Sequence, residues 1–432
     1  MPNFIDHIKT KFLATETKKR LAENFLSLSI LQGLNYILPL ITLPYLVRVL
    51  GPEKYGLIAF AQAFIGYFMI LTDYGFNLSA TREISINRED KQKVSEIFSS
   101  VLTIKFFLCI LSFLILVSLL FIPKFKKDWL VYIFTFGMVL GNVLFPIWFF
   151  QGIEKMRYIT ILNIVAKSIF TVCIFIFIKK MSDFVYVPLI NSLGYLVAGM
   201  LSLRIVFKNF AVKFVIPSLE GIKHQLKEGW HIFISTVAIS LYTISNTFIL
   251  GLYTNNTIVG YYAATEKIIR VIQSMLTPIS QTVYPYISKL ASESKEKALN
   301  FIKKLLKIIG LGSFIISFLI FIFSTQIVHI LLGSQFQNSI IVLKILAFLP
   351  FIIGLSNVMG IQTMLTFGMK EVFSKIIISA GIINICLTLL LTPIFYHIGT
   401  SVSVLLTEIF VTFFMFVYLR NILFRREVEH AK

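Results

Sequence analysis

Lys105-Phe-Phe-Leu-Cys-Ile-Leu-Ser-Phe-Leu-Ile-Leu-Val-Ser-Leu-Leu-Phe-Ile-Pro123 places seventeen uncharged residues between a lysine and a proline. As an α-helix rising about 1.5 Å per residue, that run is roughly 26 Å long, close to the thickness of a bilayer's hydrocarbon core. A barrel strand would instead need about ten residues of alternating polarity, and this run does not alternate. Backbone groups in lipid must find partners within their own segment, so the run reads as a membrane helix.

The rest of the chain repeats the pattern. Of 432 residues, 57% are hydrophobic and 14% charged, with a mean hydropathy of +0.84. An ordinary soluble domain has about 45–50% apolar and about 25% charged residues, so a soluble globular protein is excluded. Apolar runs of about 18–25 residues, bounded by charge or by Pro and Gly, predict twelve spans. They fall at 24–47, 56–80, 97–122, 129–150, 159–178, 185–207, 230–253, 258–284, 305–325, 337–362, 373–395 and 399–419. The expected class is an all-α polytopic membrane protein with 12 transmembrane helices. The polar leader before Phe25 and the interruptions at Pro39 and Pro44 argue against a cleaved signal peptide and for a retained N-terminus.

Forty Lys and Arg against 21 Asp and Glu give a formal charge of +19, which in a soluble protein would suggest nucleic acid. The placement of the charge points elsewhere. One set of segments, running from the arm with Lys9, Lys11, Lys18, Lys19 and Arg20 to the tail with Arg420, Arg425, Arg426 and Lys432, holds 26 basic residues. The opposite set, containing Arg48, Lys54, Lys124, Lys126, Lys127, Lys179 and Lys180, holds 7. Basic loops stay cytoplasmic, so both termini are expected inside and nucleic acid is not an expected partner. Cys109, Cys173 and Cys386 lie far apart in apolar runs and offer neither a disulfide framework nor a metal site.

Two weak echoes suggest an internal parallel repeat displaced by six spans. Leu50-Gly51 with Tyr55-Gly56 resembles Leu250-Gly251 with Val259-Gly260, and Asn142-Val143 ending in Gly152-Ile-Glu-Lys resembles Asn357-Val358 ending in Gly368-Met-Lys-Glu. The polar segment Lys208–Glu228 sits where a linker belongs. The expected organisation is an N-terminal six-helix lobe at 1–207, a cytoplasmic linker at 208–228 and a C-terminal six-helix lobe at 229–432.

Charges inside spans are the candidates for function, because one at the bilayer centre costs about 2.5–3.5 kcal/mol even on the lenient insertion scale. Glu266, Lys267 and Arg270 lie eight to twelve residues inside the eighth span. Glu266 and Arg270 are spaced to pair along one helix face, while Lys267 adds positive charge on nearly that face. Two readings fit: a buried ion-pair network holding the span to its neighbours, or an anion-binding patch in a wet cavity. Lys105 and Lys167 either snorkel to the interface or face such a cavity. Asp73 and Glu408 are candidate proton- or sodium-coupling sites; alternatively Asp73 pairs with Arg82 or caps a broken helix at Gly75, and Glu408 neutralises a lysine. The chain contains no H-E-x-x-H, no G-x-x-x-x-G-K-[ST] and no complete G-x-G-x-x-G. ATP-driven transport by this chain alone is therefore not expected, no cofactor is implied, and the short outer loops argue against an enzyme.

Several motifs together resemble a known family. They are Tyr45-Leu-Val-Arg48-Val-Leu-Gly51 through Tyr55-Gly56, Asp73-Tyr-Gly75, Thr81-Arg82-Glu83, Pro146-Ile-Trp-Phe-Phe-Gln-Gly-Ile-Glu-Lys-Met-Arg157 and Val259-Gly-Tyr-Tyr-Ala-Ala-Thr-Glu266-Lys267. The combination is similar to the Wzx-type O-antigen and polysaccharide flippases of the multidrug/oligosaccharidyl-lipid/polysaccharide exporter superfamily, across essentially the whole chain. The resemblance implies two pseudo-symmetric six-helix lobes around a central cavity. It also implies outward flipping of an undecaprenyl-diphosphate-linked glycan across the bacterial cytoplasmic membrane, in contact with membrane lipid and with the polysaccharide polymerase and chain-length machinery. Arg48 matches the family's arginine before the Leu-Gly turn, where it acts at the outer rim or only anchors the interface. Gln62, Tyr262 and Gln273 are candidate sugar contacts. The competing readings are a cation-coupled multidrug or metabolite antiporter of the same superfamily, a lipid II flippase, which usually has two more spans, and a membrane-embedded glycan polymerase, which would need a large outer loop.

Overall fold

The computed structural model describes residues 33, 38 and 41–424, apart from the side chains of 238, 239, 241–243 and 421–424. Most of the expected first span, the basic N-terminal arm and the tail beyond residue 424 lie outside the described residues. All regular structure among the described residues is helical. In chain order the main helices are α1 (residues 41–73), α2 (Phe76–Ile86), α3 (Lys91–Leu119), α4 (Trp129–Leu144), α5 (Met156–Phe177), α6 (Tyr186–Asn209), α7 (Leu219–Thr243), α8 (Ser245–Tyr253), α9 (Asn256–Ser274), α10 (Leu276–Glu293), α11 (Lys295–Ile322), α12 (Ser324–Leu331), α13 (Ser339–Leu346) and α14 (Leu349–Asn357). A π-helix, Val358–Leu365, follows, and then Lys370–Phe424, which Tyr396 (φ 51°, ψ −129°) divides into α15 (residues 370–395) and α16 (residues 397–424).

Eight segments among the described residues are long and apolar enough to cross a membrane: Ile41–Ile86, Lys91–Leu119, Trp129–Gly152, Met156–Phe177, Met181–Asn209, Lys295–Ile322, Ser339–Leu365 and Lys370–Arg420. The chain is an integral membrane protein. The difference from twelve expected spans has identifiable sources. Lys370–Arg420 runs through the break at Tyr396, where the sequence places the gap between its last two spans. The expected spans at 230–253 and 258–284 are each interrupted. The first breaks at Ile244; the second carries Glu266, Lys267 and Arg270 and turns at Met275 between α9 and α10. Three charges within five residues hold α9 below the apolarity of an ordinary span.

The described residues from 41 onward divide into two compact units, 65–179 with 185–237, and 41–64 with 180–184 and 238–424. In the first, the motif after Pro146 becomes a short helix, Ile147–Gly152, whose Trp148, Phe149 and Phe150 are buried against Phe98 and Phe210. The rings of Phe98 and Trp148 lie 5.4 Å apart and those of Phe149 and Phe210 5.6 Å apart, and Thr81 Oγ1 donates to the Trp148 carbonyl at 3.1 Å. Tyr74 (φ 43°) and Gly75 (φ 78°) separate α1 from α2. The Tyr74 ring stacks on Phe233 at 4.8 Å, and a Cβ on Gly75 would meet Ile232 at 2.8 Å, so this corner needs glycine for both conformation and space. Beyond α6 the chain runs extended along α3. Ser95 Oγ accepts the Lys213 amide at 3.2 Å and Ser99 Oγ the Val215 amide at 2.9 Å, so serines four residues apart satisfy a segment that has no helix of its own.

In the second unit α1 and α9 touch backbone to backbone. A Cβ on Gly56 would fall 1.8 Å from the Asn256 carbonyl, and one on Gly260 would fall 2.0 Å from that of Pro52. Small residues let membrane helices approach this closely. Phe60 and Phe248 stack beside this contact at 5.7 Å. The core further along joins Ile302 and Leu305 of α11, Val358 and Met359, and Val411, Met415 and Leu419 of α16.

Candidate functional site

A cavity of about 410 Å³ opens within the second unit, walled by α8, α9, the start of α10, α13, α14 and α16. Spacing decides which residues reach it. Tyr262, Glu266, Ile269, Arg270 and Gln273 recur every three or four residues along α9 and form one stripe; Leu349, Ile353 and Asn357 do the same on α14, and Val404 and Glu408 on α16. Asn255 starts α9 by accepting the Ile258 amide at 3.1 Å, which fixes where the stripe begins.

Arg270 Nη2 donates to Glu266 Oε1 at 2.8 Å, joining the two charges that the i,i+4 spacing brings together. Their side chains are 55% and 20% exposed, so the pair stands at the cavity wall with its guanidinium outermost. Thr247 Oγ1 lies 3.5 Å from the other Glu266 oxygen. Glu408, 8% exposed, enters the same cavity from α16, and Asn246 enters from α8 with its carbonyl oxygen accepting from Thr388 Oγ1 at 3.0 Å. The wall therefore carries two carboxylates and one guanidinium. Lys267 is half-buried and not part of this lining, so the positive surplus expected on this face is absent from the cavity.

The other sequence candidates lie elsewhere. Arg48, exposed on α1, donates from Nη2 to the Ile330 carbonyl in the last turn of α12, where an arginine satisfies an otherwise orphaned acceptor. In the first unit Lys105 Nζ, 1% exposed, sits 2.9 Å from Asp73 Oδ1, which also accepts from Asn142 Nδ2 at 3.1 Å. Asp73 thus meets Lys105, not Arg82, and Lys105 is buried against this partner, not extended to an interface. Lys167 is half-buried on α5. Gln62 does not line the cavity, whereas Tyr262 and Gln273 do. Asn246 was not singled out in sequence and Asn357 entered only through the repeat, not as a cavity residue; an amide inside each of two apolar runs was the signal. No cluster of metal-ligating side chains occurs among the described residues.

The chain is thus a polytopic helical membrane protein with an ion-paired polar cavity set among apolar helices. Its backbone is similar to an inward-facing multidrug resistance MATE family transporter of the MOP superfamily, with a TM-score of 0.71 at 13% identity, covering 89% of this chain and 94% of that one. It is also similar to the lipid II flippase MurJ in an inward closed conformation, with a TM-score of 0.65 at 12% identity, covering 91% and 87%. The chain belongs to the polysaccharide biosynthesis protein family, whose model matches residues 21–291. A protein of Escherichia coli (strain K12) named as an O-antigen transporter is 39% identical over 94% of this chain and 98% of its own length. One of Shigella dysenteriae with the same name is 29% identical over 91% and 98%. Membership agrees with the Wzx-type resemblance carried by the sequence motifs.

Proposed function

We propose that this protein is a flippase that moves undecaprenyl-diphosphate-linked oligosaccharide repeat units from the cytoplasmic to the periplasmic leaflet by alternating access, in the synthesis of O-antigen or another surface polysaccharide. The observation that carries the reading is the Glu266–Arg270 pair, at 2.8 Å, in a polar cavity built from membrane helices. A diphosphate needs a guanidinium, and a sugar needs amide and hydroxyl partners such as Asn246, Tyr262 and Gln273. Glu266 keeps the guanidinium compensated while the cavity is empty; an incoming diphosphate takes its place. Lys105 and Lys167 remain candidate contacts along the path and Arg48 a rim residue. The names of the relatives as O-antigen transporters support this assignment over an enzyme.

In this reading the chain has twelve transmembrane helices in two six-helix lobes, 1–207 and 229–432, around a central cavity, with the linker at 208–228 and both termini in the cytoplasm of a bacterial inner membrane. Moving two negative charges outward across an inside-negative membrane gains about 4–5 kcal/mol per 100 mV if the full potential is crossed. Asp73 or Glu408 supplies a return path for a proton or sodium ion if the resetting step is coupled. The polymerase and chain-length proteins are its partners downstream.

A second reading has its own support. Two carboxylates beside one guanidinium also suit a cation-coupled antiporter of the same superfamily. One experiment separates the two: outward exposure of a labelled undecaprenyl-diphosphate oligosaccharide in proteoliposomes under an imposed potential. Potential-dependent flipping by wild type that is lost in folded Arg270→Ala supports the flippase. Absence of flipping by folded wild type with several glycans, together with proton- or sodium-driven uptake of an organic cation, selects the antiporter. Flipping that survives Arg270→Ala keeps the function and removes this site.

A further inference from the structure

The helix that forms part of the cavity wall has a second occupied face. Leu349, Ile353 and Asn357 of α14 line the polar cavity, whereas Phe351, Ile352 and Leu355, with Met359 of the following π-helix, line a separate groove of about 380 Å³. On a helix, the 349/353/357 row and the 352/355/359 row are centred about 130° apart, so the two spaces flank α14 on different faces. Leu306 of α11 forms one bank of the groove; Ile409, Thr412, Phe413 and Phe416 of α16 form the other. Thr412 Oγ1 spends its hydrogen bond on the Ile352 carbonyl at 3.2 Å, which leaves an apolar surface. All three wall segments belong to candidate membrane spans, and Ile409, Phe413 and Phe416 are exposed along the groove, so it is an apolar surface at membrane depth.

One end of this groove is basic. Lys303 lies one turn before Leu306 on the same face of α11, and Arg420 lies one turn beyond Phe416 on α16. The two helices present these residues at the same end, because α11 runs antiparallel to α14, with Ser317 at Phe351 and Gly310 at Leu355, whereas α16 runs parallel to it, with Thr412 at Ile352 and Met415 at Gly360. Lys304 and Lys307, both exposed, add charge there. An apolar trough at membrane depth with cations at one mouth matches one ligand chemistry: a hydrocarbon chain ending in a phosphate.

We propose that this groove is a binding site for an anionic phospholipid, with one acyl chain against α14 and the headgroup phosphate at Lys303 and Arg420. Bulk phospholipid is the committed occupant because the groove shares no lining residue with the polar cavity and is apolar along its length. A chain seated there braces α14 on this second face and so holds the Leu349, Ile353 and Asn357 side of the cavity in place.

The test uses the full chain in phosphatidylcholine nanodiscs doped with phosphatidylglycerol or phosphatidylcholine carrying a chain-end spin label, reading the motionally restricted fraction. Wild type is expected to restrict the phosphatidylglycerol label preferentially. A basic residue near a membrane surface contributes about a fivefold preference, so Lys303→Gln with Arg420→Gln should reduce the selectivity by about five- to twenty-five-fold. Leu355→Trp, which fills the trough, should remove the restricted component for either label. Phe413→Ala with Phe416→Ala, at exposed positions that do not threaten folding, should weaken it. Equal restriction of the two labels by wild type, or restriction undiminished in the groove variants, overturns the proposal. Displacement of the label by substoichiometric undecaprenyl phosphate also overturns it, making the polyprenyl carrier the occupant.

Discussion

Asp73 and Lys105 should be energetically unequal, although they form one ion pair. Lys105 is 1% exposed and lies 2.9 Å from Asp73, whose side chain is 28% exposed and holds a second donor, Asn142, at 3.1 Å. Replacing Asp73 by Ala strands a buried ammonium and a half-buried amide together. Removing one partner of a buried pair costs about 3–5 kcal/mol, and the lower end applies here because Asp73 itself is 28% exposed. Replacing Lys105 by Met removes the deeply buried charge itself and leaves Asp73 with Asn142 and partial access to polar surroundings, at a cost of about 1–2 kcal/mol. The double variant should lie within about 1 kcal/mol of wild type, because an apolar pair of similar volume replaces both desolvation penalties. The coupling energy is then about 3–5 kcal/mol. Neutral interhelical hydrogen bonds in membranes average only about 0.6 kcal/mol, so a value of that size requires the charge. The assay is reversible unfolding in mixed micelles by titration with dodecyl sulfate, followed by circular dichroism across the full double-mutant cycle. Equal costs for the two single variants, or a double variant equal to their sum, would refute this account of the pair.

Gly260→Ala drives a methyl group into the Pro52 carbonyl and should cost about 1–3 kcal/mol in the same unfolding assay, with Gly56→Ala behaving alike. Arg48→Met loses the bond to the Ile330 carbonyl at the end of α12 and should destabilise by no more than about 1 kcal/mol, checked by denaturation, while transport stays near wild type if Arg48 only anchors. Glu266→Gln removes the carboxylate that competes for Arg270 in a half-exposed pair worth at most about 1 kcal/mol, so the affinity for farnesyl diphosphate, measured by calorimetry, should rise by up to about fivefold. Glu408→Gln preserves shape and hydrogen bonding while removing the charge. If Glu408 carries the coupling ion, ionophore sensitivity of transport disappears in this variant while unfolding is unchanged.

What could be read beforehand was whatever depends on local composition. The run after Lys105 announces α3, and the polar gap around Tyr396 announces the break between α15 and α16, because apolar length and helix interruption are properties of a short stretch. The Glu266–Arg270 contact was also legible, since a spacing of four residues fixes it without reference to any other helix. Lys105 shows the limit. Its depth along a span was available from the sequence, but its direction around the helix was not, so snorkelling and burial against Asp73 could not be told apart. Glu408 and Asn246 meet in one cavity only because α8 and α16 pack there, and no spacing within either helix encodes that. The break at Tyr74 and Gly75 likewise depends on Ile232 and Phe233, more than 150 residues away. The charges of α9 already set that span apart in the sequence, but which of them reach the cavity depends on the helices packed beside it.

The extended segment along α3 bears on how this chain could be cut into two co-expressed pieces. A long polar stretch between bundles ordinarily tolerates nicking or insertion. Here Lys213 and Val215 are tied through their amides to Ser95 and Ser99, so a nick before Lys213 leaves the following stretch as a loose end whose docking must be regained without its covalent lead-in. Ile216, 89% exposed, lies past both ties. A cleavage or tag site between Ile216 and Pro217 leaves both serine contacts on the upstream piece, and that is where a two-piece version of this protein should be divided.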